Sequence, residues 1–327
     1  MGRVVVRSAD DLAAAIVKAL ASVNDSDIVA GSKAETGVSV IMRIYNSSKH
    51  VAEALASIVN QDYEGPIELI AVYSRETSDD SLKAMLPGMK KMLRKGCTVR
   101  VLIRGHKGPF RAYQDGLVAA KGRYIAALDS DNFYYQNKLS RQTGFMEKTG
   151  ASFSFTSYQA VDKDGKPIRN ILPLAPRNYK DFSQLVNKYY VDLNTVIIDR
   201  RFRKLMLEAF SCVSGSAYDI CFEDYLMGMV ASLRGELEYL GERLNAYRIW
   251  DGNFTMLSSS TPQSKFDAAV KLAPYVQGTF AALLRINSKM HLTNKRIIFS
   301  SELTLSCSPL YISFNRMGRL EAKRNGK

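Results

Sequence analysis

The sequence predicts an α/β fold with a mostly parallel, Rossmann-like central sheet flanked by helices. Short apolar runs alternate with helical patterns from residue 38 onward, polar residues follow the runs, and the fourth run ends in Asp129-Ser130-Asp131. Such alternation is typical of parallel strands joined by crossover helices. Because ligands of these sheets bind at the carboxyl ends of the strands, a site is expected at that edge.

The alternation consists of four strands and three helices. Apolar runs predict strands at residues 38–44, 67–73, 98–103 and 124–128, and helical patterns predict helices at 51–59, 81–94 and 110–120. A strand at 152–159 and helices at 222–233 and 266–284 follow in a more mixed second half.

The segments outside this alternation differ from it in composition. Ser8 is placed to cap a helix that extends to residue 20, and a polar loop is predicted at 24–37. A Ser/Thr/Pro stretch at 258–262 precedes a helix and a distinctly basic tail. We therefore predict an N-terminal appendage at 1–36, a catalytic α/β domain at 37–257 and a helical and basic C-terminal extension at 258–327.

The composition favours anionic partners. The 327 residues include 45 Lys+Arg against 32 Asp+Glu, a net charge of +13, which suits nucleic acid, acidic lipid or phosphorylated substrates. Nucleic acid is the least favoured of these, because the basic residues are not interleaved with base-stacking aromatic residues. The tail favours a solvated surface or peripheral contact with anionic lipid.

Cysteine and histidine usage predicts a reduced, cytoplasmic protein. The four cysteines form no C-x-x-C pair and the three histidines are dispersed, which argues against a disulfide scaffold and a zinc site. No apolar run approaches the roughly 20 residues of a membrane span, and the first residues lack the apolar segment of a signal peptide. The expected location is the cytoplasm, with contact at the inner face of the membrane left open.

The Asp129-Ser130-Asp131 segment is the most informative local feature. Residues two apart in an extended chain point the same way, so the two carboxylates leave the sheet together. Like charges that close repel each other unless a cation or hydrogen-bond donors lie between them. A divalent cation such as Mg²⁺ or Mn²⁺, bound with a nucleotide diphosphate, would supply that partner. Taken alone, the motif also fits a solvated acidic turn.

Several segments, in order, resemble family-2 glycosyltransferases of the GT-A fold. They are residues 38–46, which end in Tyr45-Asn46; 53–63; 108–116 with 120–125; 221–224, which end in Glu223-Asp224; and 247–255. Each is weak alone, but their common order is specific. The resemblance covers about residues 37–255 and makes Asp129-Ser130-Asp131 the family's DXD motif.

The resemblance implies transfer of a sugar from a nucleotide-sugar to an acceptor hydroxyl, with inversion and with Mn²⁺ or Mg²⁺ as cofactor. It implies a UDP- or GDP-sugar donor and a glycan, polysaccharide or lipid-linked acceptor. Asp131 would bind the metal directly, and Asp129 would contact ribose or a metal-bound water. Trp250 stands where the family often has a metal-binding His, so Asp251 is a further candidate ligand.

The remaining site residues are also implied by the resemblance. Asp224 would be the general base, with Glu223 orienting the acceptor or supporting Asp224. Tyr73 begins the segment where the family usually has an Asp pair that contacts the nucleotide, so the base stays open. The nucleotide-sugar-binding candidates are Tyr45, Asn46, Tyr73, Arg75, Arg104, Arg111, Asp129, Ser130, Arg248 and Trp250.

Two other functions are compatible with parts of this sequence. A nucleotidyltransferase would usually carry a Gly-rich loop after the first strand, and Tyr45-Asn46-Ser47-Ser48 is not one. A binding module, either a degenerate transferase that still binds donor or a module for anionic surfaces, is left open by the departures at Tyr73 and Trp250.

Overall fold

The computed structural model describes most of the α/β region and parts of both ends. The described residues are 2–6, 8–22, 24–31, 37–105, 108–168, 177–187, 190–212, 222–250 and 262–290, with three strands between 305 and 324. Asp251, the boundary predicted after residue 257 and most of the basic tail lie outside these residues. The predicted domain boundaries stay a prediction.

The strands and helices alternate much as the sequence predicts. The strands are β1 Gly2–Val6, β2 Ser26–Ala30, β3 Val38–Ile44, β4 Ile67–Ser74, β5 Thr98–Arg104, β6 Tyr124–Ala127, β7 Phe133–Tyr134, β8 Phe153–Val161, β9 Ile197–Asp199, β10 Leu237–Arg248, β11 Leu305–Cys307, β12 Leu310–Phe314 and β13 Leu320–Arg324. The helices are α1 Ala9–Leu20, α2 Val51–Val59, α3 Ser81–Arg94, α4 Pro109–Ala119, α5 Lys138–Thr149, α6 Phe182–Asn187, α7 Arg200–Ser211, α8 Glu223–Leu233 and α9 Pro262–Met290, and a 3₁₀ turn spans Leu193–Thr195.

One large sheet organises the chain. Ten strands lie in the order β1-β2-β5-β4-β3-β6-β9-β8-β10-β7. The central strands β5, β4, β3 and β6 are mutually parallel, and β8 is parallel to β10. The antiparallel pairs are β2–β5, β6–β9, β8–β9 and β10–β7. The predicted α/β fold with a largely parallel sheet is confirmed.

Helices cover both faces of this sheet because the central strands are apolar on both sides. In β4, Ile70 and Val72 pack into one hydrophobic cluster, whereas Leu69 and Ala71 pack into the other. The first cluster includes residues of α4, α7, α8 and α9, and the second includes residues of α1, α2 and α3. Successive strand residues alternate between faces, so continuous apolar runs are expected in a sheet that is buried on both sides.

The N-terminal residues are part of the same sheet. Ser8 caps α1 as predicted, and its Oγ accepts a hydrogen bond of 3.0 Å from the Asp11 backbone N–H. The loop predicted at 24–37 is wrong for Ser26–Ala30, which form β2 and pair antiparallel with β5. Ile28 and Ala30 are buried there, so pairing and burial outweigh the polar character of the surrounding residues.

No helix in the described part of the chain is both long and apolar enough to cross a membrane. Whether the basic tail contacts a membrane surface stays a prediction.

Gly116 allows α4 to approach β3 closely. A Cβ added at Gly116 would lie 2.4 Å from Ile41 Cγ2, well inside van der Waals contact. Gly144, in the middle of α5, would place a Cβ in open space. The two glycines therefore have different physical reasons to be present, and the same substitution should act on them in opposite directions.

We expect Gly116→Ala to lower the free energy of unfolding by about 1–3 kcal/mol, because the added methyl group overpacks the α4–β3 contact. Gly144→Ala is expected to raise it by up to about 1 kcal/mol, because alanine is the better helix former and nothing obstructs its side chain. Urea denaturation of the two variants and the parent chain measures both changes. Equal changes at the two positions would contradict the predicted contact.

Candidate active site

The loops that follow the carboxyl ends of the parallel strands meet at one edge of the sheet. The β3 and β6 loops are joined through Ser47 and Ser130, whose buried hydroxyl oxygens lie 2.5 Å apart. Ser47 also donates its backbone N–H to Ser81 Oγ at 2.7 Å, which ties the β3 loop to the start of α3. Asp129 and Asp131 flank Ser130, so their position relative to β3 is fixed by the same contact.

Asp129 is held by an asparagine from the 3₁₀ turn. The Asp129 backbone N–H donates to Asn194 Oδ1 at 2.6 Å, and Asn194 Nδ2 donates to Asp129 Oδ2 at 3.2 Å. The same Nδ2 donates to Asp192 Oδ1 at 3.0 Å. Burial raises the pKa of Asp192 to about 7, against the lowering effect of its hydrogen bond with Asn194. Asn194 is fully buried, so its amide has one orientation in which these contacts are satisfied.

Asp131 lies on the other side of Ser130 and contacts Trp250. Asp131 Oδ2 accepts a hydrogen bond of 3.1 Å from Trp250 Nε1. Burial, together with the nearby Asp129 carboxylate, raises the pKa of Asp131 to about 6. The acidic pair is therefore not a solvated turn, because side chains of Trp250 and Asn194 donate hydrogen bonds to its two carboxylates.

Glu223 and Asp224 begin α8 and face the acidic pair. Both residues are buried. Asp224 Oδ2 accepts a hydrogen bond of 3.1 Å from the Leu193 backbone N–H, and its Oδ1 accepts one from the Tyr225 backbone N–H. The 3₁₀ turn therefore contacts Asp129 through Asn194 and Asp224 through Leu193. The N-terminus of a helix also favours carboxylates electrostatically.

Arg43 lies between the two carboxylate pairs. Its Nε donates to Asp129 Oδ1 at 2.8 Å, and its Nη1 donates to Glu223 Oε1. Burial alone would lower the pKa of Arg43, but the Asp129 and Glu223 carboxylates raise it above its ordinary value. Arg43 is not among the site residues predicted from the sequence. The available signal is a single charged residue in β3, whose other positions are buried and carry no charge.

Arg248 and Trp250 close the site from the second half of the sheet. Arg248 Nε donates to the Asp131 carbonyl oxygen at 2.8 Å, and its Nη2 pairs with Glu53. Its backbone N–H donates to Asn132 Oδ1 at 2.7 Å, so β10 fixes the loop after β6. Arg248 is fully buried beneath this loop.

The indole of Trp250 borders the β3 loop. Its ring meets His50 edge to face with centroids 4.9 Å apart, and Lys49 Nζ lies 5.8 Å from its centroid. Burial lowers the pKa of His50 to about 4, with Arg248 and Lys49 adding to the effect, so His50 is neutral at neutral pH.

Other predicted nucleotide-binding residues lie around this edge with different partners. Arg75 donates to the carbonyl oxygens of Ala19, Leu20, Ser22 and Asn24, where α1 ends. Arg104 pairs with Asp27 of β2 and Asp115 of α4, both at 2.8 Å. Both guanidinium groups are therefore engaged with the N-terminal residues or α4, and their contact with a nucleotide stays a prediction.

The remaining candidates differ in exposure. Tyr45 is 58% exposed at the rim, whereas Tyr73 is buried. Asn46 adopts a left-handed φ of 45°, and its Oδ1 accepts a hydrogen bond of 2.9 Å from the Ser78 backbone N–H. Arg111 is half-buried in the first turn of α4. Of this group, Tyr45 and Asn46 are the exposed residues, and Asn46 Oδ1 already accepts the bond from Ser78.

The acidic pair has the donor chemistry that a divalent cation prefers. Carboxylate oxygens are the usual protein ligands of Mg²⁺ and suit Mn²⁺ as well. The charge of Asp129 contributes to the raised pKa of Asp131, and a bound cation would relieve that repulsion. Among the described residues, no group of three or more His, Cys, Asp or Glu side chains is arranged to hold a metal. Asp131 and Asp129 supply carboxylate oxygens that suit a cation, and their role as metal ligands stays a prediction; the proposed Asp251 ligand lies outside these residues.

Comparisons with known proteins identify relatives of this chain. An uncharacterized glycosyltransferase of Rickettsia bellii is 34% identical over 134 residues, covering 41% of this chain and 18% of the relative. The Escherichia coli UDP-Glc:alpha-D-GlcNAc-diphosphoundecaprenol beta-1,3-glucosyltransferase WfaP is 30% identical over 164 residues, covering 50% of this chain and 61% of WfaP. Each match thus spans less than two thirds of the relative. The structure of S. aureus TarS 1-349 with UDP-GlcNAc superposes with a TM-score of 0.49 at 18% identity, covering 77% of this chain and 73% of TarS.

The sequence model described as Glycosyl transferase family 2 matches residues 39–207, just over half of the 327 residues. The matched region contains Arg43, the Asp129-Ser130-Asp131 motif and the 3₁₀ turn. The resemblance predicted from the sequence segments is confirmed, and this chain belongs to glycosyl transferase family 2.

Proposed function

We propose that the protein is a metal-dependent glycosyltransferase that moves a sugar from a nucleotide-sugar to an acceptor hydroxyl with inversion. The observation that most supports this is the meeting of two carboxylate pairs, Asp129 with Asp131 and Glu223 with Asp224, on the two sides of Arg43. Transfer needs one group that neutralises the departing diphosphate and another that accepts the acceptor's proton. Asp129 with Asp131 would take the first role, through a bound cation, and Glu223 with Asp224 would take the second.

The donor side consists of Asp131 and Asp129. These carboxylates would hold Mn²⁺ or Mg²⁺, which when bound neutralises negative charge on the diphosphate. Tyr45, exposed at the rim, has a ring face on which a nucleobase could stack. The name of WfaP specifies a UDP-sugar donor, which makes a UDP-sugar the first donor to test on this chain.

The acceptor side consists of Asp224 with Glu223. Asp224 would remove the proton of the acceptor hydroxyl as its oxygen forms a bond to the anomeric carbon. The bond from that carbon to the diphosphate oxygen breaks, and its electron pair leaves with the nucleotide diphosphate. Attack from the face opposite the leaving group inverts the configuration, through a transition state with oxocarbenium character. Glu223 would orient the acceptor or support Asp224.

The acceptor class follows from weaker indications. Trp250 is partly exposed beside Asp131, and an indole face stacks well on the apolar face of a sugar, although core packing is the alternative role. WfaP acts on a diphosphoundecaprenol-linked sugar, as its name states. Together with the net charge of +13, this supports a glycan or lipid-linked acceptor reached at an anionic membrane surface.

We expect Asp131→Asn to lower sugar transfer at least about 100-fold, because the donor side loses a negatively charged oxygen ligand. A panel of UDP-Glc, UDP-GlcNAc and GDP-Man, each with Mn²⁺ and a candidate acceptor, measures transfer. Calorimetry of UDP with Mn²⁺ measures binding, which should weaken. Asp11→Asn, in the exposed first turn of α1, is the matched control and should leave both unchanged. Full activity of Asp131→Asn would contradict the proposed donor side.

Asp224→Asn is expected to keep donor binding and to lower kcat by about 10²–10⁴-fold, because the amide cannot accept the acceptor's proton. The Leu193 and Tyr225 backbone N–H groups donate to separate oxygens of Asp224, and the NH2 group of asparagine cannot accept one of these bonds, so thermal unfolding checks that α8 is retained. Single-turnover transfer and UDP–Mn²⁺ calorimetry separate chemistry from binding. Transfer at the parental rate would rule out Asp224 as the base.

A further inference from the structure

Arg43 is a charged residue in a strand that is otherwise suited to a buried core. Its side chain is 17% exposed, and the strand residues on either side, Met42 and Ile44, are fully buried. Placing a guanidinium there is unfavourable unless its charge and its N–H donors are paired. The reason for this arginine must therefore lie in its partners.

Its partners belong to the two carboxylate pairs of the proposed site. Nε and Nη2 donate to Asp129 Oδ1 at 2.8 and 2.5 Å, and Nη1 donates to Glu223 Oε1. The planar fork of an arginine can bind two carboxylates at fixed angles, which a lysine cannot do. One side chain thus joins the loop after β6 to the first residue of α8.

Without the positively charged guanidinium of Arg43, the two carboxylate pairs would repel each other. Asp129 and Glu223 contact the same guanidinium, and the Asp224 carboxylate also acts on its charge. Removing Arg43 would leave these negative charges facing one another in a poorly solvated space. The expected result is a shift of α8 away from the loop after β6.

The 3₁₀ turn also connects the acidic pair to α8 and further restricts the distance between them. Asn194 holds Asp129, whereas the Leu193 backbone N–H holds Asp224. These hydrogen bonds fix each carboxylate to a common turn, while Arg43 draws Asp129 and Glu223 together electrostatically. The distance between the acidic pair and Asp224 therefore depends on both connections.

We propose that Arg43 is a positioning residue that holds the acceptor-side carboxylates at the correct distance from the donor side. This inference rests on the proposed function, because it assumes that Asp224 acts on an acceptor bound beside the donor. Arg43 itself accepts no proton. Its role is to fix where Glu223, and therefore its neighbour Asp224, lie relative to Asp129.

A positioning role has a consequence that a purely structural role lacks. Arg43 donates two hydrogen bonds to Asp129 Oδ1 and so competes with any cation for that carboxylate. Loss of Arg43 should leave Mn²⁺-dependent nucleotide binding unchanged or tighter, while transfer falls because Asp224 is displaced. A residue needed only for folding would lower both together.

Arg43→Met tests this, because methionine keeps much of the side-chain length without the charge. We expect kcat to fall about 100-fold, the loss that a displacement of about 1 Å can cause. The dissociation constant of UDP with Mn²⁺, measured by calorimetry and by the electron paramagnetic resonance signal of Mn²⁺, should not rise. Arg43→Lys should give an intermediate kcat, because its charge remains but its fork is lost. Arg123→Met, which removes an exposed arginine paired with Glu147, is the control.

Three results would overturn the role of Arg43. The first is a kcat for Arg43→Met within about threefold of that of the active parent chain. The second is a parallel loss of kcat and of nucleotide affinity in Arg43→Met. The third applies if Arg43→Met does not fold, and is a kcat for Arg43→Lys equal to that of the parent chain. A folded Arg43→Lys variant with reduced kcat and unchanged nucleotide affinity would support it. Absence of transfer by the parent chain with every donor would instead overturn the proposed function, and this role with it.

Discussion

The site depends on keeping several carboxylates close together at one edge of a sheet. Asp129, Asp131, Asp192, Glu223 and Asp224 approach each other there, and like charges in a partly dry environment repel strongly. The chain balances them with one guanidinium, from Arg43, and with N–H donors from Asn194 and from the backbone. A divalent cation would complete this balance on the donor side.

The topology explains why residues far apart in sequence reach this edge. Parallel strands β3 and β6 deliver Arg43 and the acidic pair directly, because neighbouring parallel strands end on the same side. The second half of the sheet returns through β8 and β10, and Arg248 at the end of β10 binds the loop after β6. Helix α8, which lies between β8 and β10 in the chain, brings Glu223 and Asp224 to the same edge. The two halves of the sheet thus build one site from opposite sides.

Much of the fold was predictable, because the buried strands are long apolar runs and the helices between them are clearly periodic. The position of the acidic pair at a strand end and of Glu223-Asp224 at a helix start was also predictable, whereas their roles come from the family resemblance and stay predictions. Arg43 was not predictable, because a lone charge inside a strand gives no hint of partners on distant segments. Asn194 was missed for the same reason, and its turn is defined by tertiary contacts. Arg75 and Arg104 show the converse: their strand-end positions follow from sequence, but their side-chain partners on the N-terminal residues do not.

The pairing of β2 with β5 has a practical consequence for anyone who shortens this chain. A fragment that starts at residue 39, where the family match begins, would lack β2 and expose the hydrogen-bonding edge of β5, a surface prone to intermolecular strand pairing. In this fragment Arg104 would lose its ion pair with Asp27, and Arg75 would lose the carbonyl oxygens that it binds at the end of α1. Self-association of such a truncated fragment would thus reflect a bare sheet margin rather than the behaviour of the intact polypeptide.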